Sequence, residues 1–162
     1  MTARAIYTAE NNVMLDDPKV KLGEHVKDTD IPAEVLELVG RAIAIDTMNE
    51  TVLYYKKGGK ELEGSSGNPT EVALLSFVHD MGMDYAEIRD TTKGRSSVGK
   101  IAEYLKDGKL FGFSSARKMM SWAVPKEGGG YRIYCKGAQE VLLSLVASML
   151  ELTDSRMIAR KQ

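Results

Sequence analysis

An aromatic side chain followed closely by two basic ones is the first feature of this sequence that could do chemistry. In the stretch KLFGFSSARKMMSW, residues 109–122, Phe113 precedes Arg117 and Lys118 by four and five positions. An aromatic face can bind a nucleobase by stacking, while nearby cations meet the phosphates. The alternative is a core phenylalanine in a strand, with both cations on the solvated side of a turn. These residues alone therefore leave a nucleotide cleft as one of two interpretations.

A lysine in the stretch YCKGAQE, residues 134–140, is the second candidate. Lys136 ends an apolar strand and precedes a helix, where the helix dipole disfavours a cation, so a compensating group is expected near it. Gly137 at a helix start beside a lysine is favourable geometry for an anion or an electron-rich ring. A solvent-exposed lysine at a strand end is the alternative. Because such a lysine contributes little to folding, Lys136 is expected to affect binding more than stability.

The stretch GNPTEVALL also allows two interpretations. In the first, Asn68 caps a helix, Pro69 is its first residue, and Glu71 closes a capping box from the third position. In the second, Glu71 lies on the same helical stripe as Leu75 and Val78, at the edge of the core. There its carboxylate would face a neighbouring cleft and accept a hydrogen bond from an amino group.

Other candidate sites fail tests of their context. The stretch GRSSVGK, residues 94–100, has the skeleton of a phosphate-binding P-loop, but Ile101 stands where a Ser or Thr should follow the lysine. The residues before it are too polar for the required buried strand, so a surface loop is predicted. His25 and His79 have no second ligand at a metal-like spacing, and Cys135 is expected to pack as a small hydrophobe. Neither a metal site nor a catalytic residue is predicted.

Composition limits the class of protein. The 162 residues, 43% hydrophobic and 28% charged, fit a single domain over residues 1–162. With 22 Lys and Arg against 23 Asp and Glu, the net charge of −1 gives no excess positive charge for nucleic acid or an acidic membrane surface. One cysteine excludes an internal disulfide and fits a reducing compartment. No apolar run approaches the roughly 20 residues of a membrane span.

Hydrophobic periodicity predicts an α/β fold of the α+β type, an antiparallel β-sheet flanked by helices. A short strand at MTARAIYT precedes a loop over residues 10–30, and Pro32 begins a helix capped by Asp30. The remaining predictions, in chain order, are a hairpin at 51–64, a helix at 67–82, a short helix at 98–105, strands at 110–113, 119–124 and 131–135, and a helix after Gly137 that carries Val141, Leu142, Leu145, Val146 and Met149.

Three stretches in this order carry a resemblance to a known family: GNPTEVALLSFVHDMGMDY, FSSARKMMSW and YCKGAQEVLL. Together they resemble the nucleotide-binding (N) domain of P-type cation-transporting ATPases, and most of all that of plasma-membrane-type calcium pumps. The resemblance covers most of residues 1–150 and is more specific than any one motif. It implies that Glu71 and Thr70 contact the adenine edge, that Phe113 stacks on the ring, and that Lys118 and Lys136 line the pocket around ring and phosphates. Arg117, with Lys118, would steady the charged end of the nucleotide, and Ser115 and Gly137 would also belong to the nucleotide site.

The same resemblance implies a role in a larger pump. The domain would bind Mg-ATP or ADP on the cytoplasmic face of a membrane and deliver the γ-phosphate to an aspartate of a separate phosphorylation domain. The magnesium ion would be held mainly by that phosphorylation domain, and an actuator domain would be a further partner. The isolated chain is expected to be monomeric, to bind nucleotide without turnover, and not to insert into the membrane.

Departures from the family pattern qualify these expectations. Ser115 stands where reticulum-type calcium pumps carry an arginine, so one positive contact is expected to be missing. The Asp-Lys-Thr-Gly-Thr phosphorylation motif is not in the sequence, and the family continues beyond the last residue here to a strand bearing a nucleotide-contacting arginine. An excised domain, truncated at its C-terminus, is therefore expected. A pump for another cation, or a stand-alone interaction module without nucleotide, is the alternative.

Overall fold

The computed structural model describes residues 1–8, 11–57, 61–92, 108–126, 128–146, 148–153 and 156–161. The elements in chain order are β1 (Ala5–Tyr7), β2 (Asn12–Met14), α1 (Leu22–His25), α2 (Ala33–Ile45), β3 (Val52–Tyr55), β4 (Leu62–Ser66), α3 (Pro69–Asp80), α4 (Tyr85–Thr92), β5 (Lys109–Ser114), β6 (Met119–Pro125), β7 (Tyr131–Gly137), α5 (Gln139–Leu145), β8 (Ser148–Thr153) and β9 (Arg156–Lys161).

Helices α1 to α4 and the β3–β4 hairpin enclose the main hydrophobic core. Its buried side chains come from all of these elements except β4, and the largest of them are Leu22, Val26, Leu53, Leu75, Phe77, Val78, Met81 and Tyr85. A second, smaller cluster joins Ile45 at the end of α2 to Val124 and Tyr134 of the β5–β7 sheet. Because the two clusters meet at the C-terminal end of α2, that end sets the position of the sheet relative to the helices.

The three-stranded sheet has the order β5-β6-β7 and is antiparallel throughout. Successive residues of a strand point to opposite faces, so the cross-strand pairs define two faces. The Lys136 face carries Leu110, Met120, Trp122, Tyr134 and Lys136. The Phe111 face carries Phe111, Ser121, Cys135 and Ile133. Tyr134 is buried while Ile133 is 61% exposed, so the Lys136 face is the one that packs against the helices.

The predicted α+β class is confirmed: antiparallel strands combine with flanking helices. The described strands form four separate sheets rather than one. The β3–β4 hairpin, α3 and the strands of the β5–β7 sheet lie where the periodicity predicted them. In the turn between β6 and β7, Gly128, Gly129 and Gly130 all have positive φ, which explains the glycine run of KEGGG.

Several boundaries were predicted wrongly. Residues 10–30, predicted as loop, contain β2 and α1, and α4 was not predicted because its sequence is polar. Helix α2 begins at Ala33 with Pro32 as its N-cap residue. Met149, predicted on the last helix, lies in β8. The predicted helix at 98–105 and the stretch at 94–100 fall outside the described residues.

Candidate functional site

Glu71 is held inside the molecule by four hydrogen bonds. The residue is 4% exposed, and its carboxylate accepts from the Thr51 hydroxyl at 2.5 Å and from the Met48 backbone N–H at 3.3 Å to each oxygen. The ammonium group of Lys136 completes the set at 2.5 Å from Oε1. Each carboxylate oxygen therefore has two donors. The predicted hydrogen bond from an amino group exists, and the amino group is that of Lys136.

This arrangement keeps Glu71 ionised. Burial by itself would raise the pKa of the carboxyl group, but the hydrogen bonds from Lys136 and Thr51 and the positive charge of Lys136 outweigh burial, so its pKa lies below the usual value. The capping-box interpretation does not hold, because the carboxylate points to these partners. Asn68 does cap α3, since its side chain accepts from the Thr70 N–H at 2.8 Å.

Lys136 has the compensating group that its position at a helix start required. Its ammonium donates to the backbone carbonyl of Asp46 at 2.5 Å as well as to Glu71, and its side chain is 29% exposed. Lys136 thus ties β7 to the end of α2 and the start of α3. The expectation that it affects binding more than stability does not fit this geometry, because its removal would leave a buried carboxylate without its cation.

A second cation, Arg89, binds the same backbone segment that holds Glu71. The Arg89 side chain, on a residue 7% exposed, donates to the carbonyl oxygens of Met48 at 3.3 Å and Thr51 at 2.9 Å. The 48–51 segment is therefore fixed between Glu71 on one side and Arg89 on the other. Nothing in the sequence marked Thr51 or Arg89 as part of this cluster, because their partners lie 20 to 41 positions away.

Phe113, at the end of β5, is 64% exposed. It is therefore not a core phenylalanine, and its ring is accessible to a ligand. The pairing between β5 and β6 changes register between Phe111, opposite Ser121, and Ser114, opposite Met119. Three steps on β5 thus match two on β6, which is a β-bulge of one residue.

The turn after Phe113 contains the other predicted residues of this stretch. Ser115, Arg117 and Lys118 are all exposed. The guanidinium of Arg117 donates to the backbone carbonyl of Phe111 at 3.0 Å and also to that of Gly112. Lys118 has a positive φ of 52°, unusual for a residue with a side chain, and its N–H donates to the Ser114 carbonyl at 2.7 Å.

Backbone contacts join this turn to the Lys136 region. The N–H of Ala138 donates to the Lys118 carbonyl at 2.9 Å. A Cβ atom at Gly137 would lie 2.5 Å from that same oxygen, so only glycine allows this close approach. Lys118 also forms an ion pair at 3.1 Å with Glu140, in the first turn of α5. Hydrogen bonds from its own backbone N–H and from Lys118 lower the pKa of Glu140 below the usual value.

The predicted site residues therefore fall into two groups, which meet where the turn after β5 contacts the end of β7. The inner group contains Glu71 and Lys136, and the outer group contains Phe113, Ser115, Arg117 and Lys118, with Gly137 at the boundary. Thr70 is exposed next to Glu71, and its hydroxyl lies 3.7 Å from the sulfur of Met1. Glu140 was not predicted as part of this site, although an acidic residue in the first turn of a helix after Lys136 and Gly137 was a usable signal.

Other predictions about individual residues had mixed outcomes. Cys135 is exposed, with its thiol 3.2 Å from the Ser121 hydroxyl, so its predicted packing as a small hydrophobe was wrong. His79 stacks on Tyr55 at a centroid distance of 3.8 Å. Among the described residues, no group of three or more His, Cys, Asp or Glu is placed to hold a metal. Nor is any described helix long and apolar enough to cross a bilayer.

Comparison with known families decides what kind of domain this is. Residues 40–159 match the model of the family described as P-type ATPase, cytoplasmic domain N. The chain belongs to this family. The predicted resemblance, the N-domain-like fold and the place of such a domain on the cytoplasmic side of a membrane are confirmed by this match.

Individual relatives agree with the family. The chain is 39% identical over 116 residues to plasma membrane calcium-transporting ATPase 4 of Bos taurus. The aligned residues make up 70% of this chain and 9% of the relative. It is 32% identical over 130 residues to plasma membrane calcium-transporting ATPase 3 of Homo sapiens, and this alignment covers 78% of this chain and 10% of the relative. A relative in Caenorhabditis elegans, plasma membrane calcium-transporting ATPase mca-1, is 36% identical over 118 residues. This alignment covers 70% of this chain and 8% of the relative.

The chain thus spans about a tenth of the length of the curated relatives it matches. No solved structure matches it.

Proposed function

We propose that this chain is the ATP-binding domain of a P-type pump that transports calcium, and that it delivers the γ-phosphate of ATP to an aspartate of a separate phosphorylation domain. The observation that carries the proposal is the exposed ring of Phe113 beside the cations of the turn that follows it. The similar proteins named above are calcium-transporting ATPases, which favours calcium over another cation. A stand-alone module without nucleotide remains the alternative that binding measurements exclude or support.

Phe113 is the residue that fits the base. A ring that is 64% exposed at a strand end costs hydrophobic free energy in water, and an adenine stacked on it would remove part of that cost. Gly112 precedes it, and a methyl group at Gly112 would meet no atom within 4 Å, so there is free space beside this residue. The ring can therefore be covered by a ligand without moving the backbone.

The two lysines have different parts in this proposal. Lys118 is 57% exposed in its side chain, and its exposed ion pair with Glu140 is weak enough to exchange for a phosphate. Lys136 is held by Glu71 and the Asp46 carbonyl, so it presents only the remainder of its charge to a ligand. Glu71 then acts by positioning Lys136, since its four hydrogen bonds leave it no free lone pair for an adenine amino group.

Phosphoryl transfer needs more than these residues. The bound nucleotide supplies the transferable phosphoryl group, and transfer depends on positioning an acceptor and magnesium. By the family resemblance both come from the phosphorylation domain. We therefore expect the isolated chain to bind Mg-ATP without steady hydrolysis.

Nuclear magnetic resonance titration with Mg-ATP tests the proposal. Phe113→Ala should weaken binding by about 1–3 kcal/mol, the usual contribution of one base stacked on an aromatic ring. Phe111→Ala is the matched control, because Phe111 is a 40% exposed phenylalanine of the same strand on the other face of the sheet. Its affinity should match that of the wild type. Equal losses in both variants, or none in either, would contradict the assignment of Phe113 to the base.

A further inference from the structure

We propose that Arg117 is a positioning residue, whose guanidinium holds the bulge of β5 and so places the Phe113 ring on the Lys136 face of the sheet. The resemblance alone assigned Arg117 to the phosphate end of the nucleotide. The structure shows its side chain turned back on its own strand instead. The functional part of this inference rests on the proposed nucleotide binding, whereas its geometric part stands on the ligand-free protein.

The bulge decides on which face Phe113 lies. Phe111 pairs with Ser121 and Ser114 pairs with Met119, so both β5 residues lie on the Phe111 face although they are three positions apart. Phe113 is adjacent to Ser114, and continuing that register places it opposite Met120. Met120 in turn pairs with Lys136. Without the extra residue, regular alternation would put Phe113 on the same face as Phe111, away from Lys136.

Arg117 contacts the bulge at the residues where the register changes. Its Nη2 atom donates to two consecutive carbonyl oxygens, those of Phe111 and Gly112. A bulge leaves part of the backbone unpaired, and these bonds satisfy backbone oxygens beside it. The Arg117 N–H also donates to the Ser114 hydroxyl at 3.2 Å. Backbone and side chain of Arg117 thus bracket Phe113 from both sides along the chain.

An arginine suits this contact better than a lysine. A single guanidinium nitrogen carries two hydrogens fixed in one plane, so one nitrogen can serve two neighbouring carbonyls. A lysine ammonium also has hydrogens for two acceptors, but it is strongly hydrated and rotates on a flexible stem, so it would hold the two carbonyls less rigidly than a planar guanidinium does. Arg117→Lys therefore separates a role in charge from a role in geometry.

The first experiment needs no nucleotide. Nuclear Overhauser contacts between the Phe113 ring protons and the Met120 side chain should be present in the wild type and should fall to less than about half in Arg117→Lys and Arg117→Ala. Arg132→Lys, at an exposed arginine on β7 away from the bulge, is the matched control and should keep them. Contacts that persist unchanged in Arg117→Ala would overturn the proposal.

The second experiment compares ligands with and without phosphates. If Arg117 acts through Phe113, both variants should lose affinity for adenosine and for Mg-ATP by the same factor, about tenfold, within the range that one base stack contributes. A loss for Mg-ATP alone, rescued by Arg117→Lys, would show direct phosphate contact and overturn the proposal. If wild-type protein shows no saturable response to either ligand, the proposed function fails, while the ligand-free contacts still decide the role of Arg117.

Discussion

Two lysine–glutamate pairs lie close together on this domain and differ in almost every physical respect. The inner pair, Lys136 with Glu71, has side chains 29% and 5% exposed. The outer pair, Lys118 with Glu140, has side chains 57% and 65% exposed. The inner pair is part of a network with Thr51 and the backbone of Met48, whereas the outer pair joins a turn to a helix end through solvent-exposed groups. The same two residue types thus form a buried network in one place and a solvent-exposed ion pair in the other.

Removing the cation of each pair should give the largest contrast. Lys136→Met leaves the Glu71 carboxylate buried without its cation, so we expect the free energy of unfolding to fall by about 3 kcal/mol, the lower end for a broken buried pair because Lys136 is partly exposed. Lys118→Met should change it by less than about 0.5 kcal/mol. Urea denaturation followed by circular dichroism measures both.

A double variant checks the cause of that loss. Adding Glu71→Gln to Lys136→Met removes the uncompensated charge and keeps one oxygen that accepts hydrogen bonds, so part of the lost stability should return. If the double variant is less stable than Lys136→Met by the full cost of the second change, the two residues are not coupled and the comparison fails.

The boundary between the two pairs should be nearly as sensitive. Gly137→Ala would bring a methyl group to 2.5 Å from the Lys118 carbonyl, and overpacking of this kind costs about 1–3 kcal/mol. Gly64→Ala in β4 is the control, since a Cβ there meets only a Tyr54 ring carbon at 3.9 Å. Thermal unfolding compares them, and equal shifts in the two variants would contradict the assigned role of Gly137.

Lowering the pH should reduce the stability that the inner pair contributes. The folded-state pKa of Glu71 lies below its usual value of 4.5, so the unfolded chain binds more protons and stability rises with pH in this range. The contribution is complete above about pH 5 and is lost as the pH falls through the lower folded-state pKa. Between pH 5 and 3 the wild type should therefore lose more stability than Glu71→Gln. Denaturant titrations at each pH measure the free energy of unfolding, and equal losses in the wild type and in Glu71→Gln would contradict this prediction.

The outer pair should give the smallest effects, of opposite sign on its two members. Lys118→Gln should weaken Mg-ATP binding by about 1 kcal/mol at low salt, and Glu140→Gln should strengthen it slightly because Lys118 no longer has a competing carboxylate. Adenosine affinity should change in neither. Calorimetry at two salt concentrations measures this, and a loss of affinity in Glu140→Gln would mean that the pair is not displaced by phosphate.

Local patterns predicted the parts of this molecule that local physics determines. The apolar stripe of α2, the cap formed by Asn68 and the glycine turn after β6 were all readable because each depends on neighbours within a few positions. The helix α4 was missed because it is short and polar, and its contribution to the core through Tyr85 depends on distant partners.

For the candidate site, the residue types were predictable but their partners were not. Glu71, Phe113 and Lys136 were all singled out from the sequence, yet the sequence did not show that Lys136, Thr51 and Met48 are the partners of the Glu71 carboxylate. Nor could alternation alone reveal the bulge before Phe113, because a one-residue change of register leaves no mark in a short apolar strand.

The reach of Lys136 along the chain has a kinetic consequence. Its ammonium joins β7 to Glu71, 65 positions earlier, and to Asp46, 90 positions earlier. Closing loops of that length is entropically costly, so we expect these contacts to form late, after the helices have assembled. Interactions absent from the folding transition state act mainly on the rate of unfolding. Losing Lys136 should therefore raise the rate at which the native domain unfolds, while the domain still folds at nearly its original rate.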